Sequence, residues 1–141
     1  MPPARKLAIV ACMDARLRVE QMLGLKTGDV HTIRNADIIV TEDTIRSLII
    51  SHTLLGTQEF MIINHTDCAM LTLKNDDLKA RLKQETHVMA SSPETFPPFR
   101  DPAENVREQI QKVRSHPWIP NGIPVRGFVY DVKTGRLNEA K

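Results

Sequence analysis

The chain has 141 residues, 41% of them apolar, 26% charged and 4% aromatic. That is the size of one ordinary globular domain with room for a real core, so residues 1–141 are expected to form a single domain. A formal net charge of +2 scattered along the chain, with few aromatics for base stacking, argues against a nucleic-acid partner, and no apolar run approaches the roughly 20 residues that cross a bilayer.

Leu7 to Cys12 is a short continuous apolar run with β-branched residues, the pattern of a strand covered on both faces in a parallel sheet. Its apolar part is short for the core of an export signal and runs straight into Asp14 and Arg16. The two cysteines, Cys12 and Cys68, therefore fit a reducing compartment, where cysteine serves as ligand or nucleophile, and a cytoplasmic location is expected. A helical piece over Val19 to Leu23 ends at Gly24, and Val30 to Ile33 reads as a second strand closing at Asn35. Thr41 offers an N-cap, and Ile45, Leu48, Ile49 and Leu55 give helical spacing up to Gly56.

Glu59 to Asn64 is a further buried-strand run that leads into His65-Thr66-Asp67-Cys68. Leu78 and Leu82 indicate a polar surface helix, and His87 to Asp101 a loop rich in Ser and Pro. Asp101 followed by Pro102 opens a helix with the stripe Val106, Ile110 and Val113. Val125 to Val132, a turn at Lys133 to Gly135, and Arg136-Leu137 read as a hairpin. Strands alternating with helices predict an α/β fold, a Rossmann-like, mainly parallel β-sheet flanked by helices with one antiparallel edge strand. Met13, Met22, Met61 and Met70 are expected to fill the core, and His31, His52, His87 and His116 have no motif context.

The chemistry-bearing residues share a position. Cys12 ends the first strand and His65 the third, with Cys68 one turn on, and ligands of open α/β sheets bind at that carboxyl edge. Two thiolates and an imidazole prefer zinc, and three protein ligands leave a fourth position open, as in catalytic zinc sites. Asp14 is near enough in sequence to reach the same ion or to accept a proton from its water, and Arg16 can hold that carboxylate by a bidentate pair. Zinc lowers the pKa of its water to around 7, which suits hydration of an electrophilic carbon.

Cys12-Met13-Asp14-Ala15-Arg16, Ile33-Arg34-Asn35-Ala36, Thr41 to Ser47 and His65-Thr66-Asp67-Cys68 stand in the order and spacing of the β-class carbonic anhydrases, particularly their short prokaryotic branch, which this chain resembles from about Lys6 to Glu139. The resemblance implies zinc held by Cys12, His65 and Cys68, with Asp14 and Arg16 as the catalytic dyad and Asp14 on the metal only in a closed state. It also implies reversible hydration of CO2 to bicarbonate, and a homodimer or higher oligomer with active sites at the subunit interface.

Three departures stand out. Asp37 and Ile38 occupy positions that are usually glycine in the family, where an added carboxylate and a β-branched side chain are expected to narrow the pocket or alter its charge. Ala69 follows Cys68 where glycine is usual, a milder change. The helical arm that commonly wraps the partner subunit is expected to be missing, because Lys6 already enters the first strand. Relatives with the same ligands hydrolyse carbonyl sulfide or carbon disulfide, so that activity is an alternative, as is a zinc-binding homologue with impaired catalysis. The Cys12-x5-Arg18 spacing also matches thiolate phosphatases, but Met13 and Leu17 are bulky for a phosphate loop, and His65 and Cys68 would go unexplained.

Overall fold

The computed structural model describes residues 1–141. The order is β1 (Leu7–Cys12), α1 (Val19–Met22), β2 (Val30–Asn35), α2 (Glu42–Thr53), β3 (Glu59–His65), α3 (Asn75–Thr86), α4 (Pro102–Arg114), β4 (Val125–Tyr130) and β5 (Leu137–Glu139). Single 3-10 turns, Ala36–Ile38 and Ala69–Leu71, follow β2 and β3.

The strands form one five-stranded sheet in the order β2-β1-β3-β4-β5. The β1–β2, β1–β3 and β3–β4 pairs are parallel, and β5 adds antiparallel to β4 with Tyr130 opposite Leu137. This is the expected α/β sheet with its antiparallel edge. Chain connections leave β1 toward β2 and then cross to β3 on the other side. The gap between the carboxyl ends of β1 and β3 is thus a topological switch point, where connecting loops part and leave a crevice.

Residues 8–12 of β1 are all buried, as are Ile62 to His65 of β3. Alternation sends Ala8, Val10 and Cys12 into one core with Phe60, Ile62, Leu48 and the α4 stripe Val106, Ile110 and Val113. Ile9, Ala11 and Ile63 face a second, smaller core with Val19. Thr41 caps α2 by accepting from the Thr44 N–H at 3.3 Å, and Asp101 caps α4 by accepting from the Glu104 N–H at 2.7 Å, each removing one orphan donor.

Local differences from the sequence reading have local causes. Helix α2 ends at Thr53, two residues before Leu55, and the chain turns through Gly56 at φ 76°. Strand β4 stops at Tyr130 because the Asp131 carboxylate accepts from the Lys133 and Thr134 N–H groups at 2.8 and 3.2 Å and closes the turn early. Met22, Met61 and Met70 are half-buried, whereas Met13 is 67% exposed and is not core. Cys12 points inward, so by strand alternation the next residue points out.

The turn after β2 is the least ordinary stretch of backbone. Asp37 at φ 69° and Ile38 at φ 58° are consecutive left-handed residues, and neither is glycine. A left-handed L-residue costs about 1–2 kcal/mol, most for a β-branched one, so surrounding contacts must hold the pair in place.

Candidate metal centre

Cys12, His65 and Cys68 are all buried, and their ligand atoms lie within 4.8 Å of one another at the β1/β3 switch point. That span is about twice a Zn–S or Zn–N bond of ~2.0–2.3 Å. The His65 Nδ1–H donates to the Thr66 carbonyl at 2.9 Å, which fixes the tautomer with a lone pair on Nε2. Nε2 is buried and has no hydrogen-bond partner. A buried orphan acceptor beside two free thiols is a cost in the metal-free fold that zinc would remove, so the residues present fit the ion.

The two thiols are in unlike surroundings. Burial pushes Cys12 up, but the His65 ring beside it and the main-chain N–H groups of Asp14 and Asp37 outweigh this and hold it below the ordinary thiol value. For Cys68, burial is reinforced by the charges of Cys12 and Asp37 and opposed by the Met70 N–H, and the thiol is pushed up to about 12. Burial lowers His65, but Cys12 and the Thr66 carbonyl leave it net raised. Cys12 is therefore the readier thiolate, and a cation at the trio would favour ionisation of Cys68.

Asp14 and Arg16 meet as expected. The guanidinium donates from Nη2 to Asp14 Oδ2 at 2.8 Å and from Nε to Oδ1 at 3.0 Å, and the Arg16 main-chain N–H adds a third bond at 2.9 Å. These bonds outweigh burial and hold the Asp14 carboxyl well below the usual range. Asp14 Oδ2 lies 3.8 Å from His65 Nε2, at the mouth of the trio but outside it.

Sequence reasoning missed three supporting residues. Arg16 Nη1 donates to Asp67 Oδ2 at 2.8 Å and Nη2 to the Asp67 carbonyl at 2.9 Å, so Arg16 spans the ends of β1 and β3. Arg34 donates to the carbonyls of Cys12 at 2.9 Å and Asp14 at 2.7 Å, pinning the loop that carries both. Thr66 supplies the carbonyl that orients His65. Arg34, Thr66 and Asp67 all fall inside the quoted motifs, which was the only signal for them.

Of the residues at positions usually glycine, Ala69 needs none, because its φ is not positive. Ile38 is fully buried in the core. Asp37 is 1% exposed, its carboxylate 3.7 Å from Cys68 Sγ, and burial pushes its pKa up to about 6. It adds a second carboxyl group beside the buried thiols.

Residues 7–137 match the family model for carbonic anhydrase. The chain is 50% identical over 140 residues to β-carbonic anhydrase 1 of Mycobacterium tuberculosis, covering 99% of this chain and 84% of that protein. It is 33% identical over 155 residues to a carbon disulfide hydrolase of Acidithiobacillus thiooxidans, covering 97% and 78%. Among solved structures, a carbonic anhydrase of Streptococcus mutans superposes with a TM-score of 0.94 at 45% identity, covering 99% of this chain and 84% of that one. The fold, the sulfur–imidazole trio at its switch point and the near-complete match together show that this chain belongs to the carbonic anhydrase family, in its β class.

Proposed function

We propose that this protein reversibly hydrates CO2 to bicarbonate and a proton, with Cys12, His65 and Cys68 as the zinc ligands and Asp14 and Arg16 as the catalytic dyad. The observation that carries this reading is the buried, unpartnered His65 Nε2 facing two free thiols beside a fixed carboxylate. Zinc, when bound there, supplies a hydroxide near neutral pH by lowering the pKa of water to about 7.

The chain's own residues do the rest. Arg16 holds the Asp14 carboxyl ionised across the neutral range, so with zinc in place Asp14 would be the acceptor that orients the attacking water. Arg16 engages both oxygens of Asp14 and so would keep that carboxylate from joining the trio as a ligand, and its hold on Asp67 ties the two strand ends together. Loss of that grip would free Asp14, 3.8 Å from His65 Nε2, to serve as a further ligand, the closed state of the site. The expected setting is the cytoplasm, supported by two unpaired cysteines, as one catalytic domain in a homodimer or higher oligomer.

Carbon disulfide hydrolysis is the second reading, favoured by the relatives of that name. Stopped-flow measurement of the zinc-loaded protein with CO2, carbonyl sulfide and carbon disulfide in parallel tests both, with Arg16→Ala beside it. CO2 hydration is expected to be the fastest, and Arg16→Ala to keep its zinc while losing at least about tenfold in rate. Faster turnover of carbon disulfide would transfer the assignment, and a zinc-loaded protein inactive on all three would make it a binding protein.

A further inference from the structure

The left-handed turn at Asp37 and Ile38 touches the metal centre at one end and helix α4 at the other. Its carboxylate lies against Cys68 Sγ, and on the opposite side the Asn105 Nδ2–H donates to the Asp37 carbonyl at 3.0 Å. The Gln109 Nε2–H donates to Asn105 Oδ1 at 2.8 Å, and Gln109 Oε1 accepts from the Val40 N–H at 2.9 Å. Asn105 and Gln109 are 3% and 1% exposed, on a helix face otherwise filled by Val106, Ile110 and Val113. Polar amides are costly in such a place unless every bond is used, and here they grip both ends of a strained turn. On the near side Asn35 Nδ2 donates to the Ile39 carbonyl at 2.7 Å, so the turn is clamped from β2 and α4 together.

We propose that Asn105 and Gln109 are positioning residues for the metal centre, bracing the turn 37–40 so that Asp37 and Ile38 keep the left-handed conformation that sets Asp37 against Cys68. Neither touches the metal ligands; they act through the turn. The relation follows from the side chains at 37 and 38, because a turn built from glycines keeps a positive φ without a brace, and a turn built from Asp and Ile relaxes toward the right-handed region once its anchors go. The inference rests on the zinc reading of Cys12, His65 and Cys68.

The test is the zinc affinity of the full chain, measured by competition with a chromogenic chelator, together with the thiolate charge-transfer band of the cobalt-loaded protein. Gln109→Leu, close in volume but unable to accept from Val40, is expected to weaken zinc by about tenfold and to shift the cobalt band, the size usual for outer-shell partners. The same change in an Asp37→Gly/Ile38→Gly background is expected to cost less than about threefold, because the turn then has no strained side-chain-bearing residue and no carboxylate to hold. A purely structural role would lower both backgrounds equally, and that result, or an unchanged affinity in the Asp37 background, overturns the proposal. Asn105→Ser, which keeps a polar group but cannot reach the Asp37 carbonyl, repeats the comparison if Gln109→Leu does not fold. An unsubstituted protein that binds no zinc would instead overturn the metal reading itself.

Discussion

Asp37 puts a carboxyl group where a folded protein rarely keeps one, fully inside and against a sulfur. Burial pushes its pKa from the ordinary 3.8 to about 6, offset in part by the Cys68 contact and the His65 ring. A carboxyl with a raised folded pKa holds its proton more tightly in the fold than in the unfolded chain. Its stabilisation is fully present below about pH 4 and is lost as the pH rises through about 6. Asn at this position has the same size, tolerates the left-handed backbone and does not ionise. In the metal-free protein Asp37→Asn is therefore expected to raise stability toward urea by about 2–3 kcal/mol at about pH 8, a gain that narrows as the pH falls toward 4. A gain independent of pH would show that the burial cost of the charge is not the cause.

The Cys12, His65 and Cys68 trio and the Asp14–Arg16 pair are legible in the sequence because each ends or follows a recognisable buried strand, and a strand end in a parallel sheet fixes where a side chain can go. Arg34, Thr66 and Asp67 are legible only as motif letters, since their work is done through carbonyls and a second carboxylate that only the fold brings near. The glycine-to-Asp37 and glycine-to-Ile38 departures announce a change in the pocket, but not that the backbone keeps the glycine conformation. That depends on Asn105 and Gln109, 68 and 69 residues from the groups they bind.

At the scale of elements, the site depends on how closely α4 lies on the sheet. Gly127 of β4 has no side chain, and a Cβ there would collide with Val106 Cγ1 and stand 2.6 Å from Ile110 Cδ1. Both are buried residues of the α4 stripe, and the same helix carries the Asn105 and Gln109 clamp on the turn beside the metal centre. Gly127→Ala therefore pushes α4 outward or forces its side chains off their rotamers, at about 1–3 kcal/mol for overpacking. The expected result is a lower melting temperature for the metal-free protein and weaker zinc binding in the same variant. Unchanged melting would mean that α4 accommodates the methyl group without moving. The apolar spacing of α4 reads directly from the sequence, whereas the reason for glycine at 127, inside a strand pattern, is the approach of a helix that local pattern does not reveal.

For the whole molecule, the surface left outside the two cores is unevenly apolar. Trp118 is 76% exposed and Ile50 36%, and both line a groove with Ile45, Ile49 and Val40 between α2 and the segment after α4. A large exposed aromatic beside a run of isoleucines marks a contact surface more often than a solvated one, and desolvating Trp118 would give such a contact its anchor. The expected assembly is a dimer or larger, so sedimentation of the zinc-loaded protein should give at least twice the 16.0 kDa of one chain. Ile50→Glu combined with Trp118→Ala places a charge on the groove and removes its anchor, and is expected to lower the sedimenting mass without unfolding the chain, because neither side chain belongs to the buried cores. Sedimentation of the unsubstituted protein at the mass of a single chain would defeat the oligomer. An unchanged assembly in the double variant would move the interface to another face, such as that around Val88 and Met89, which are also exposed.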